Sequence, residues 1–134
     1  MRVLLDTHIL LWALSNDCRL PKEAKRIIDN ENNEVYYSIL SIWEVENKHI
    51  LHPTEMQFNG KDIIHFCKES KFIKLILKEE HIIELSNLKR EENAPRHKDP
   101  FDRMLICQAI SENIFLVTHD KLLQYYQCDN VFLV

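Results

Sequence analysis

Four acidic residues stand at positions where an α/β protein places groups that bind metals or catalyse reactions. Asp6 follows the three apolar residues of the segment RVLL, and Asp120 closes a second segment with nearly the same pattern, IFLVTHD. Because ligands bind at the carboxyl ends of parallel strands, Asp6 and Asp120 are expected to face one cleft. Asp102 lies at the start of an apolar helical segment and Glu44 lies inside another, and both are expected to reach the same cleft.

Such a cluster of carboxylates predicts a bound divalent cation. Like charges a few ångströms apart repel, and some of the acids would take up protons unless a cation neutralised them. Mg²⁺ and Mn²⁺ prefer oxygen ligands and keep water molecules in their coordination shell. The histidine pair His49-x-x-His52 has a zinc-like spacing, but no third nearby ligand accompanies it. The acids therefore indicate Mg²⁺ or Mn²⁺ rather than zinc.

A site of this kind is suited to the hydrolysis of phosphodiester bonds. The cation polarises the phosphoryl oxygen and lowers the pKa of a bound water, which becomes the nucleophile. The chain has a formal net charge of −4, whereas proteins that bind nucleic acid by charge alone are usually basic. Bound cations would explain how an acidic protein holds a nucleic acid backbone.

Each acid also has a purely structural interpretation as a helix cap or an ion-pair partner. Asp6 and Asp120 each precede a short helical segment and are suitable N-caps. Asp99 is a suitable cap for the next helix, with Asp102 returning the hydrogen bond as in a capping box. Glu44 has a lysine four residues later, the spacing of a helical ion pair. Two strand ends with near-identical acidic patterns, plus a third acidic helix start, favour a shared function over independent caps.

The elements that must position these acids are short apolar strands alternating with helices. Strands are predicted over residues 2–6, 35–37, 72–77, 114–117 and 131–134. Helices are predicted over residues 8–14, 21–30, 38–51, 62–68, 79–88, 99–113 and 121–126. Ile82, Ile83 and Leu85 are expected to face inward, and Trp12 and Trp43 are expected in the core. This alternation is typical of an α/β fold with a parallel sheet covered on both faces.

The composition narrows the class of protein further. A length of 134 residues fits one domain over 1–134, and no apolar run approaches the ~20 residues that span a bilayer. The segment MRVLLDTHILLWAL has an acid in its middle and no small-residue cleavage site, which favours mature sequence over a signal peptide. Gly60 is the only glycine, which excludes glycine-rich phosphate loops. Four cysteines without a Cys-x-x-Cys pair favour a cytoplasmic location.

Four segments of the chain together resemble the PIN-domain toxins of VapC type. They are LLDTHILLWAL, SIWEVENKH, HKDPFDRMLICQA and LVTHD, and they follow the order and spacing of that family over residues 3–120. The resemblance implies a three-layer α/β/α sandwich with a central, mostly parallel sheet. It also implies a metal-dependent endoribonuclease that cuts RNA, the toxin of a type II toxin–antitoxin pair. The implied partners are the RNA substrate, a cognate antitoxin and a second copy in a homodimer.

The resemblance also implies which residues form the site. The acids that correspond to the catalytic metal ligands of the family are Asp6, Glu44, Asp102 and Asp120. Asp99 is either a further ligand or a helix cap. Thr7 and Thr118 are expected to support the site by hydrogen bonds to these acids or to the scissile phosphate. Arg103 either touches a phosphate or pairs with an acid, and pairing is the favoured expectation.

Two rival functions make different predictions about the sequence. A catalytically silent PIN-like module that only binds a partner would lack one of the acids, and none is missing. A dehalogenase-like phosphatase would carry Asp-x-Asp at the first strand, whereas this chain has Asp6-Thr7-His8. A receiver domain would carry a lysine after a late strand, and Lys121 is a poor match because it follows an acid directly.

Overall fold

Five short strands form the centre of the protein in a computed structural model that describes residues 1–134. The strands are β1 (Arg2–Leu5), β2 (Glu34–Ser38), β3 (Ile73–Leu75), β4 (Phe115–Thr118) and β5 (Val131–Leu133). They form one sheet in the order β3-β2-β1-β4-β5, and every neighbouring pair is parallel. The parallel sheet predicted from the sequence is therefore confirmed.

Helices connect the strands and cover both faces of the sheet. The α-helices are α1 (Thr7–Leu14), α2 (Lys22–Asp29), α3 (Ile39–Leu51), α4 (Gly60–Glu69), α5 (Glu79–Ile83) and α6 (Pro100–Glu112). Two 3-10 helices follow α5 and β4, at Glu84–Asn87 and Lys121–Tyr125. None of these helices has the length and apolar character needed to cross a membrane. The predicted α/β/α sandwich is confirmed.

The apolar residues divide into two clusters, one on each side of the sheet. Val3 and Leu5 belong to a cluster with residues of α1, α2, α3 and α4, whereas Leu4 belongs to a cluster with residues of α6. This division follows from the strand geometry, because successive side chains point to opposite faces. Strand β1 is buried on both faces, which explains its unbroken apolar sequence.

Three apolar residues expected in the core lie instead at the surface. Trp43 on α3 is 59% exposed, and Ile82 and Ile83 on α5 are also exposed. Helix α5 is only five residues long, and its buried side chain is His81. The inward orientation predicted for Ile82 and Ile83 is wrong because the apolar pattern assumed a longer, regular helix. Trp12 is partly buried and packs against the first cluster.

The order of the strands decides which acids meet. Strand β1 lies in the middle of the sheet with β2 on one side and β4 on the other. The backbone N–H of Asp6, just after β1, donates to the carbonyl of Val117 in β4 at 3.1 Å. Ser38 at the end of β2 caps α3. The segments carrying Asp6, Glu44 and Asp120 therefore leave the same edge of three adjacent parallel strands.

Candidate metal centre

Asp6 is a buried carboxylate at the junction of β1 and α1. One of its oxygens accepts a hydrogen bond from the N–H of Ile9 at 2.8 Å, which makes Asp6 the N-cap of α1. The other oxygen accepts a hydrogen bond from the hydroxyl of Thr118 on β4. The residue is only 4% exposed. Burial raises the pKa of Asp6, and the two hydrogen bonds oppose that rise. Asp6 is therefore a helix cap and a member of the cleft at once.

The two threonines have different partners. Thr118 donates to Asp6 and accepts a hydrogen bond from the N–H of Asp120 at 3.0 Å, so it links two of the acids. The Asp120 carboxylate accepts from the N–H of Leu122 at 2.9 Å and caps the second 3-10 helix. Thr7 contacts the hydroxyl of Ser41 at 2.9 Å instead of an acid. Thr118 therefore supports the acids directly, whereas Thr7 joins α1 to α3.

Glu44 projects from α3 with one oxygen paired and one unpaired. Its Oε2 lies 3.0 Å from the ammonium of Lys48, in the ion pair that the sequence spacing allowed. Its Oε1 is buried and has no hydrogen-bond partner in the protein, although the residue is only 6% exposed. An unsatisfied buried acceptor costs roughly 1–3 kcal/mol, and more when it is charged. Glu44 thus has an oxygen that needs a donor or a cation.

Asp102 lies in the first turn of α6 and interacts with a histidine that the sequence analysis did not assign as a ligand. His97 Nε2 lies 3.3 Å from the Asp102 carboxylate, and His97 Nδ1 lies 2.7 Å from the hydroxyl of Tyr126. Ligand atoms of His97, Asp102 and Asp120 all lie within 4.8 Å of one another. Burial lowers the pKa of His97. The side chains of His97, Asp102 and Asp120 form the tightest group of possible metal ligands in the chain.

The charges of the other acids also affect the carboxyl group of Asp102. Burial is the largest cause that raises its pKa to about 8, and the negative charges of nearby acids raise it further. In decreasing order of effect, those acids are Asp99, Asp6, Glu44 and Asp120. All the predicted acids therefore act on one carboxyl group, although Asp6 and Glu44 lie outside the tightest group of ligand atoms.

Asp99 and Arg103 flank Asp102 and have simpler surroundings. One Asp99 oxygen accepts hydrogen bonds from the N–H groups of Phe101 and Asp102 at 2.9 and 3.2 Å, which are the contacts of an N-cap. Asp99 is exposed. Arg103 forms no ion pair, in contrast to the predicted pairing with an acid. The contacts of Asp99 are those of a cap, and the guanidinium of Arg103 is left free to meet an anion.

Comparison with known proteins identifies the family of the chain. Residues 3–127 match the model of the PIN domain. The chain belongs to the PIN domain family. No curated protein matches it significantly in sequence.

Solved structures share the fold of this PIN domain. A chain in the crystal structure of VapBC2 from Rickettsia felis, bound to a DNA fragment from its promoter, superimposes with a TM-score of 0.70 at 19% identity. That match covers 100% of this chain and 98% of the other. A chain in the structure of VapBC-1 from nontypeable Haemophilus influenzae gives a TM-score of 0.61 at 21% identity, and covers 93% and 92% of the two chains.

The chemistry of the donor set in this PIN domain fits a divalent cation. The site offers several carboxylate oxygens, one of them buried without a partner. Burial and then the nearby acids raise the pKa of Asp102 to about 8, so its ionised form needs a compensating positive charge at neutral pH. Hard cations such as Mg²⁺ and Mn²⁺ bind oxygen ligands of this kind, and Mn²⁺ also accepts an imidazole nitrogen such as that of His97. The sequence placed His97 beside the cleft, but the contact of His97 with Asp102 and that of Tyr126 with His97 were not predicted.

Proposed function

We propose that this PIN domain is a Mg²⁺- or Mn²⁺-dependent endoribonuclease that hydrolyses phosphodiester bonds of RNA. The observation that carries the proposal is the group of His97, Asp102 and Asp120, whose ligand atoms lie within 4.8 Å of one another, with further acids near enough for their charges to raise the pKa of Asp102. A stable structure has no need to collect like charges in this way. The arrangement becomes favourable when a doubly charged ion binds.

The residues of the proposed site have different roles. Asp6, Glu44, Asp102 and Asp120 would hold the ion or its water ligands. When bound, the ion supplies a polarised phosphoryl oxygen and an acidified water. Thr118 fixes the orientation of Asp6 through its hydroxyl, and Lys48 neutralises part of the charge of Glu44.

Three further residues complete the proposed roles. His97 holds Asp102 in place while Tyr126 fixes the other side of its ring. Arg103 is free of ion pairs and would contact a phosphate of the RNA. Asp99 contributes through its cap of α6, which places the Asp102 carboxyl group in the first turn.

The partners proposed for this chain are a cognate antitoxin and a second copy of itself. The structural likeness to chains of VapBC2 and VapBC-1 supports a role as the toxin of a type II toxin–antitoxin pair, acting in the cytoplasm. An apolar cavity of about 250 Å³ lies outside the acidic cleft, and exposed Trp43 and Ile82 line it together with Phe101. Exposed apolar patches of this kind mark protein interfaces, which supports a homodimer of the domain over 1–134.

One experiment tests the enzymatic proposal. Protein freed of any partner is incubated with total RNA plus Mg²⁺ or Mn²⁺, beside a reaction with EDTA and a reaction with the Asp6→Asn variant. We expect cleavage only by the parent protein with metal. Cleavage that persists in EDTA or in the variant would contradict the proposal. Folded protein that binds the metal but cuts no RNA would favour the catalytically silent partner module.

A further inference from the structure

Trp12 lies between the acidic cleft and a second, larger cavity. Asp6 and Asp120 line a cavity of about 260 Å³ together with His8, His119 and Trp12. His8 and Trp12 also line a neighbouring cavity of about 430 Å³, to which Arg19 contributes. Because the two cavities share two residues, they adjoin each other, and together they are called the groove.

Trp12 is surrounded by the kinds of side chain that bind flat aromatic ligands. The ring centroids of His8 and His119 lie 5.9 and 6.0 Å from that of Trp12. The guanidinium carbon of Arg19 lies 5.4 Å from the Trp12 ring centroid. Asp17 holds the guanidinium through hydrogen bonds of 2.8 and 3.1 Å. His8, His119 and Arg19 are all exposed, so the edge of the indole facing the groove is set among accessible cationic and aromatic groups.

The charges of the groove indicate which part of a nucleotide fits where. The larger cavity combines the apolar surfaces of Met56 and Phe58 with the polar groups of Gln57, Asp17 and Glu55. Two acids in its lining disfavour a phosphate there, but they suit the hydrogen-bond donors on the edge of a base. Single-stranded RNA is bound through bases that stack on aromatic and guanidinium planes. A phosphate would instead fall at the cation beside Asp6 and Asp120.

We propose that Trp12, together with His8 and Arg19, forms a binding subsite for one nucleobase of the RNA, next to the phosphodiester that is cut. The inference rests on the proposed ribonuclease function and adds the determinant of base binding. Trp12 lines both cavities and has the guanidinium of Arg19 over its ring. The subsite makes the larger cavity part of the substrate groove.

Fluorescence of the two tryptophans, Trp12 and Trp43, tests the subsite directly. In the Asp6→Asn background, which is expected not to cut the substrate, Trp43→Phe leaves Trp12 as the only indole. Hexaribonucleotides of each base, titrated in Mg²⁺, are expected to quench this protein saturably. The matched Trp12→Phe variant retains Trp43, which lines a separate cavity, and is expected to respond less. Trp12 emission that no oligonucleotide alters, or alters less than Trp43 emission, would overturn the proposal.

Kinetics of the otherwise unaltered enzyme give a second readout. Trp12→Ala is expected to raise KM for RNA roughly tenfold with little change in kcat, because a stacked base contributes equally to the ground state and the transition state. Trp12→Phe is expected to retain most of the affinity, and thermal melts establish that both variants fold. A lower kcat with unchanged KM would overturn the subsite.

The outcomes separate this inference from the ribonuclease proposal. Parent protein that cuts RNA while Trp12→Ala shows normal kinetics would reject the subsite alone. Quenching of Trp12 by oligonucleotides in a protein that cuts no RNA would support base binding and reject the nuclease. A third outcome is that Trp12→Ala loses a co-purifying protein but keeps its affinity for RNA. The larger cavity beside Trp12 would then bind a segment of that protein, and the nucleobase subsite would be rejected.

Discussion

Helix α6 carries one carboxylate near each end, and their surroundings differ sharply. Near its C-terminal end, Glu112 accepts a hydrogen bond from His81 Nε2 at 2.8 Å and pairs with Lys78 at 3.0 Å. The His81 hydrogen bond is the largest cause that lowers the pKa of Glu112. In the first turn, burial and four neighbouring acids raise the pKa of Asp102 to about 8.

The carboxylate of Glu112 stabilises the fold, whereas the carboxyl group of Asp102 is placed to bind a ligand. His81 Nδ1 accepts a hydrogen bond from the backbone N–H of Lys78. The ring proton is therefore on Nε2, which donates a hydrogen bond to the Glu112 carboxylate. The polar groups at this end of α6 therefore satisfy one another within the chain. The acids around Asp102 have capping N–H groups, Thr118 and Lys48 as partners, but one buried Glu44 oxygen has none, and a proton or an external cation is needed to offset the charge at Asp102.

Neutralising the two carboxylates is expected to have unequal effects on activity. Asp102→Asn removes a proposed metal ligand without changing the size of the side chain, and RNA cleavage is expected to fall on the order of a hundredfold. Glu112→Gln keeps an acceptor for His81 and is expected to leave the cleavage rate near that of the parent. Cleavage rates measured on one RNA under saturating Mg²⁺ test this contrast. A similar loss of activity in both variants would contradict it.

The same two positions are expected to affect stability in opposite directions. Glu112→Ala leaves the buried His81 N–H without an acceptor, which destabilises the protein by roughly 1–3 kcal/mol. Asp102 takes up a proton when the protein folds at neutral pH, and that uptake costs free energy; Asp102→Asn removes this cost and is expected to raise the stability of the metal-free protein. Urea unfolding in EDTA measures both changes. A stabilising Glu112→Ala variant would show that the His81 cluster does not support the fold.

The pH dependence of the metal-free protein is expected to sharpen the comparison. Asp102 ionises near its ordinary value of 3.8 when unfolded and at about 8 when folded. Between these values the folded state holds a proton that the unfolded state has lost, so the free energy of unfolding falls as the pH rises. Glu112 has the opposite sign, because its lowered pKa contributes stability at neutral pH that is lost on acidification.

Urea unfolding of the metal-free protein at a series of pH values measures how the free energy of unfolding depends on pH. Asp102→Asn is expected to flatten the decline between about pH 4 and pH 8, whereas Glu112→Gln leaves that decline in place. An unchanged slope in Asp102→Asn would mean that Asp102 is not the group that holds the proton.

The sequence predicted the sheet and the acids because both depend on local patterns. The apolar residues of β1 and the acid after them identify a buried strand that ends at a cleft, and β4 repeats the pattern with Asp120 two residues after Thr118. The Asp99 cap was also visible, since Asp-Pro at a helix start is a local signal. The features that short-range patterns determine were therefore accessible.

The missed features depend on contacts between distant segments. His97 meets Tyr126 and Asp102 only after α6 and the second 3-10 helix pack together. The apolar residues of α3 are spaced so that more than one face of the helix could be buried. In the folded protein Leu40 and Val45 are buried and Trp43 is exposed. Polar residues such as His81 become buried when a partner is available, and no periodicity reveals that partner.

The central claim is that the acids around Asp102 form a site for a divalent cation, and calorimetric titration with Mn²⁺ at pH 7 tests it most directly. We predict saturable binding to the parent and to Glu112→Gln, at least tenfold weaker binding to Asp102→Asn, and release of a proton when the parent binds. Titrations in buffers of different ionisation enthalpy count that proton. Absence of saturable binding, or equal affinity in all three proteins, would contradict the account.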